Sequence, residues 1–116
     1  MPILPEADYR EFLWWLLRQR KRLKITGKSM LPLLQPGEEI LVNPYSYHRT
    51  LPEINDIVVA THPLYLELTI IKRVKAIDND GNCFLIGDNL AASTDSRHWG
   101  TLNYKYLMGR VTSRFG

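Results

Sequence analysis

Beyond Lys24 the chain is written in short apolar runs, each closed by turn-forming residues, and this punctuation is what most limits its fold. Gln35-Pro36-Gly37 leads into Glu38 to Val42, and Asp56 opens the short apolar run Ile57 to Ala60. Leu66 to Ile77 is the longest strand candidate; Asp78-Asn79-Asp80-Gly81 is a hairpin turn before Cys83 to Ile86, and Tyr104 to Thr112 follows. Runs of this length bounded by Gly, Pro, Asn and Asp read as strands joined by tight turns. The expectation is a mainly β fold: a small antiparallel sheet, partly closed into a barrel, behind one N-terminal helix.

Residues 1–24 have a different texture. Pro5 suits a first helical turn, Glu6, Asp8 and Glu11 the positive end of the dipole, and Arg18 to Lys24 the negative end, so a basic amphipathic helix is expected from about Pro5 to Lys24. The chain thus divides into this helix, 1–24, and a body, 25–116. Phe12 to Leu17 is apolar nearly all round the helix and needs cover from the body, a second chain or lipid headgroups. Six helical residues span only about 9 Å of a hydrocarbon core roughly 30 Å thick, so no membrane span is expected. The early acidic residues also argue against a secretory leader.

Charge follows the same division. Residues 1–24 hold six Lys or Arg and three acids, while residues 25–116 hold nine of each. A neutral body lacks the basic face that nucleic acid demands, so no nucleic-acid partner is expected. Cys83 is the only cysteine, which leaves no internal disulfide and suits a small core residue. One Cys and three His without ligand spacing give no expected metal site and no cofactor.

Three features carry chemistry. With period two, Leu66, Leu68, Ile70, Lys72, Val74 and Ala76 share one strand face, and Glu67, Thr69, Ile71, Arg73, Lys75 and Ile77 the other. Lys72 is therefore the one charge on an apolar face, where desolvation favours the neutral amine, a competent general base. On the pattern alone, snorkelling to solvent is the simpler reading. Gly27-Lys28-Ser29-Met30-Leu31-Pro32 is a loop that can expose a serine hydroxyl and its own N–H together, although most loop serines are turn residues. Gly87-Asp88-Asn89 and Ser93 to Gly100 form a polar stretch that an Asp95–Arg97 pair could brace, with Ser93 or Ser96 aimed at a neighbouring site.

Taken in order, Ser29-Met30-Leu31-Pro32, Asp56-Ile57-Val58-Val59, Ile71-Lys72-Arg73-Val74 and Gly87-Asp88-Asn89 through Gly100 resemble the four boxes of the type I signal peptidases, serine–lysine proteases related to the self-cleaving LexA-like repressors. The resemblance covers about residues 25–112. It implies the signal peptidase type of β fold, with Ser29 as nucleophile and Lys72 as general base. Ser93 would orient the Lys72 amine, with Asp88, Asp95 and Arg97 supporting. The Ser29 backbone N–H would supply one oxyanion donor, and Met30 and Pro32 would contact the substrate. It also reverses the reading of Lys72, since the role requires burial.

Four departures stand out. Gly27 lies where some members carry a hydroxyl for the oxyanion hole, leaving Thr26 or a backbone N–H as the second donor. Asn55 replaces the usual glycine before Asp56, the segment between Lys72 and Gly87 is short, and no anchor is expected. In the last two respects the chain is similar to the small nickel-type superoxide dismutase maturation proteases. That similarity implies a cytoplasmic enzyme whose partner is a precursor protein presenting an extended N-terminal peptide. Alternatives are processing of secretory leaders with residues 1–24 as a peripheral membrane contact, a non-catalytic peptide- or membrane-binding module, and a triad of Ser29 with His48, His62 or His98. His62 and His98 are also readable as loop hydrogen-bonders. The sequence leaves the oligomeric state open.

Overall fold

The structure, a computed structural model, describes residues 4–115. Seven strands form one antiparallel sheet: β1 (Lys21–Lys24), β2 (Glu39–Asn43), β3 (Ile57–Thr61), β4 (Thr69–Ile77), β5 (Asn82–Ile86), β6 (Leu102–Asn103) and β7 (Leu107–Arg114). Their order is β1-β2-β7-β3-β4-β5-β6, a curled sheet left open between β1 and β6, as the punctuated sequence predicts. Among the described residues two short α-helices accompany it, α1 (Tyr9–Leu16) and α2 (Ser96–Trp99).

The core lies on both faces of β3, which explains its unbroken apolar run. Ile57 and Val59 enter a cluster with Ile25, Met30, Leu34, Ile40, Val42 and Val111. Val58 and Ala60 enter a second with Val74, Cys83, Leu85 and Leu102. Cys83 is thus the small core residue expected, and burial pushes its thiol up to about 11.

The N-terminal helix is shorter than predicted. Asp8 caps it by accepting from the Glu11 N–H, but it stops at Leu16; Arg18 turns the chain with φ of 63°, and Lys21–Lys24 pairs with β2 as a strand. The basic residues read as a helix C-terminus belong largely to that edge strand, where alternation leaves Leu23 packed on the core and its neighbours exposed. No α1 residue is fully buried. Phe12 and Trp15 pack on Phe115, ring centroids 6.0 and 5.0 Å away, and Glu11 accepts from Ser113 Oγ (3.1 Å), Thr112 Oγ1 and the Arg20 guanidinium.

The long strand also starts later than predicted, at Thr69, so Leu66 and Leu68 lie exposed in the preceding loop. A bulge between Val74 and Ala76 interrupts its alternation. Ile77 thereby joins Ile70 and Val74 against the second cluster, against the simple period-two assignment.

Candidate active site

Lys72 stands opposite Val58 on β4, on the face of the second cluster, and is 5% exposed. Its ammonium is held from outside the sheet. Nζ donates to Ser93 Oγ at 3.1 Å, and Ser93 Oγ donates to Asp95 Oδ2 at 2.7 Å. Asp95 is fully buried and also accepts from the Gly87 N–H (3.0 Å) and from Arg97 Nε (2.9 Å). It doubles as the N-cap of α2, accepting from the Arg97 N–H while His98 Nδ1 accepts from the Asp95 N–H. One carboxylate therefore fixes the whole polar stretch and presents the Ser93 hydroxyl to the amine.

The electrostatics follow from those contacts. Burial lowers the Lys72 pKa below the ordinary lysine value, with Asp95 opposing that shift and Arg97 adding to it. For Asp95 burial would raise the pKa, but the hydrogen bonds from Arg97, Ser93 and the Gly87 N–H outweigh it and hold the carboxyl well below the usual range.

Ser29 arrives from the other side. Gly27 turns the chain with φ of +77°, and buried Met30 anchors the loop in the first core cluster. Ser29 is half-buried and lines, with Thr26, Gly27, Met30 and Lys72, a cavity of about 240 Å³ between the end of β1 and the start of β4. Of the residues expected to serve the site, the fold brings Ser29, Met30, Lys72, Ser93, Asp95 and Arg97 into this neighbourhood. Pro32 is exposed and outside the cavity lining. Asp88 supports from the opposite face, through Arg73. Ser96 Oγ accepts from the Leu85 N–H and so pins the stretch to β5.

None of the three histidines lines the Ser29 cavity. His62 Nδ1 accepts from the N–H groups of Leu64 and Tyr65, and His98 serves the cap. His48 packs edge-on against Tyr45.

Three further residues shape the site. Arg73, assigned by periodicity to a polar face, is buried and makes a two-pronged pair with Asp88 (2.8 and 2.9 Å) while donating to the Asn55 carbonyl at 3.2 Å. Asn55 has φ of +80°, which explains why glycine suits that position and why asparagine substitutes for it. Gly87 lets the chain pass where no side chain fits, since a Cβ there would lie 2.6 Å from the Ser29 carbonyl oxygen and closer still to Ser93 Oγ. Gly87→Ala should therefore push Ser29 and Ser93 apart. A loss of about 1–3 kcal/mol in chemical denaturation is expected. Asn89 is the third, donating from its backbone to the Ser29 carbonyl (2.8 Å). Gly87 and Asn89 were legible only as parts of a motif; Arg73 had no signal beyond its place beside Lys72.

The family model for signal peptidase, peptidase S26, matches residues 13–80 and 79–115. The chain belongs to the S26 signal peptidase family. A probable signal peptidase I-1 of Synechocystis is 28% identical, over 78% of this S26 chain and 68% of its own length. Mitochondrial inner membrane protease subunit 1 of Homo sapiens is 30% identical over 74% of the chain and 63% of its own. A probable thylakoidal processing peptidase 2 of Arabidopsis thaliana is 27% identical over 78% of the chain and 36% of its own length. This S26 chain thus spans about two thirds of the length of the first two and about a third of the last. Among its described residues, no helix is long and apolar enough to cross a membrane.

Proposed function

We propose that this S26 chain is a serine endopeptidase that removes an N-terminal propeptide from a precursor protein, with Ser29 as nucleophile and Lys72 as general base. The observation that carries this reading is a buried lysine amine, depressed in basicity and oriented by Ser93, on the wall of the cavity that Ser29 also lines. In the proposed cycle, neutral Lys72 takes the proton from Ser29 Oγ as the oxygen attacks the scissile carbonyl carbon. The Ser29 N–H donates to the oxyanion that forms. The carbon–nitrogen bond then breaks, and the Lys72 ammonium returns its proton to the leaving amine. Neutral Lys72 then takes a proton from water as the water attacks the acyl ester, and passes that proton to Ser29 Oγ as the carbon–oxygen bond breaks. The peptide would lie extended along the β4 residues that precede the β5 pairing, which begins at Arg73.

The proposed substrate is the precursor of a nickel superoxide dismutase, met in the cytoplasm, where removing the extension frees the amino terminus that the substrate's nickel site uses. The second reading is cleavage of secretory leaders at a membrane surface. It is favoured by the exposed Tyr9, Leu13, Leu16 and Leu17 of the α1 segment beside exposed Arg10 and Arg18, and by the membrane names of several relatives. Incubating the purified protein with both precursors, followed by mass spectrometry, separates the two. A new N-terminus on the dismutase alone supports the first, one on the secretory precursor alone supports the second, and two intact precursors overturn both. Activity should rise with pH across a range below the ordinary lysine titration, because deprotonating Lys72 creates the base; kcat/KM independent of pH there would contradict a lysine base.

A further inference from the structure

The oxyanion donor required by this reading is a backbone group, so something must fix its direction. A peptide unit is planar and trans, so the Lys28 carbonyl and the Ser29 N–H are opposite ends of one rigid plate. No described residue accepts a hydrogen bond from that N–H. The carbonyl end, by contrast, is held twice: the Leu31 N–H reaches it at 3.2 Å from within the same turn, and Asn89 Nδ2 reaches it at 3.1 Å from 61 residues away. Asn89 also donates its own N–H to the next carbonyl, Ser29, at 2.8 Å. One residue thus grips both peptide planes that flank the proposed nucleophile, one with its side chain and one with its backbone.

We propose that Asn89 is a positioning residue for transition-state stabilisation: by holding the Lys28 carbonyl from behind, it sets the direction of the Ser29 N–H and strengthens it as a donor to the oxyanion. The proposal rests on the Ser29–Lys72 reading of the site. Two physical effects support it. Fixing the far end of a rigid plate removes the rotation that would swing the N–H off target, and a hydrogen bond accepted at C=O polarises the N–H of the same peptide. Preorganised donors of this kind contribute in the transition state and little to substrate binding. Asn89 is half-buried and its side chain makes no hydrogen bond to Lys72 or Ser93, so the titration of the base should not depend on that side chain's amide.

The test uses the full chain, the precursor that it cleaves, and a peptide aldehyde of the cleavage-site sequence, which forms a tetrahedral adduct with the serine. Asn89→Ala removes the side-chain donor but leaves the backbone bond to Ser29; Asn89→Asp keeps the size and replaces the donor with an acceptor. For Asn89→Ala, kcat should fall on the order of tenfold, with more loss for Asn89→Asp. For Asn89→Ala, which adds no charge, KM should stay within about twofold, aldehyde affinity should fall in proportion to kcat/KM, and the pH midpoint should not move. Ser29→Ala run in parallel separates the two claims. A fully active Ser29→Ala would overturn the reading on which the proposal rests. An inactive Ser29→Ala beside wild-type kcat in both Asn89 variants would overturn the role of Asn89 alone. So would a loss in Asn89→Ala expressed in KM with aldehyde affinity retained, or one that travels with a shifted pH midpoint in that uncharged variant.

Discussion

Lys72→Met is expected to abolish cleavage, by roughly four orders of magnitude in kcat, while leaving the melting temperature at neutral pH unchanged or raised. The two halves of that result have one cause. A lysine amine with a lowered pKa is costly to keep charged where it lies: burial opposes the ammonium, and the Asp95 charge only partly offsets it. A thioether of similar length carries no such cost, and Ser93 keeps its bond to Asp95. The pH dependence has a definite sign. Because the folded-state pKa lies below the unfolded value of about 10.4, the unfolded chain binds more protons between the two, and wild-type stability should rise with pH across that window. The Met variant should lose that slope. Ser29→Ala should match it in lost activity but keep the slope, since Lys72 is intact. Circular dichroism melts across pH, run beside a cleavage assay, check both variants; cleavage that survives in either removes the proposed pair.

Asp88→Ala should have the largest effect on stability. It leaves the buried Arg73 guanidinium with the Asn55 carbonyl as its remaining partner. Breaking one side of a buried pair costs about 3–5 kcal/mol, much more than the intact pair contributes. In a chain of this size that lowers Tm by more than about 10 °C. The double variant Arg73→Met with Asp88→Leu should recover most of the loss, because neither charge then needs a partner. Thermal melts of the single and double variants decide it, and a single variant as stable as wild type would contradict the cost assigned to the unpaired charge.

The fold was legible where one local rule governs. The runs at 40–42, 57–60 and 83–86 became strands within a residue or two of their expected ends, because turn residues fence them and both core clusters draw on them. The position of Lys72 on an apolar face was legible for the same reason. What failed depended on partners distant in sequence. Lys21 to Lys24 carries charges that suit a helix end, and only its pairing with β2 makes it a strand. Arg73 looked solvent-facing because its partner lies fifteen residues away, just past the end of the neighbouring strand β5. The bulge at Lys75 leaves no mark in the residue pattern, yet it returns Ile77 to the core.

The sheet order has a consequence for when the site can exist. Strand β7 lies between β2 and β3, and among the described residues it is the strand that joins the β1–β2 ladder to the rest of the sheet. Ser29 lies in the connection between the two strands of the first group and Lys72 belongs to the second, so a ribosome-bound chain that has not reached residue 107 carries both residues without the ladder that registers them. Such non-local closure is slow, because the entropy of joining distant segments is lost before the contacts form. On the proposed reading, the chain would stay inert until β7 pairs with both groups, and that strand would act as the arming step.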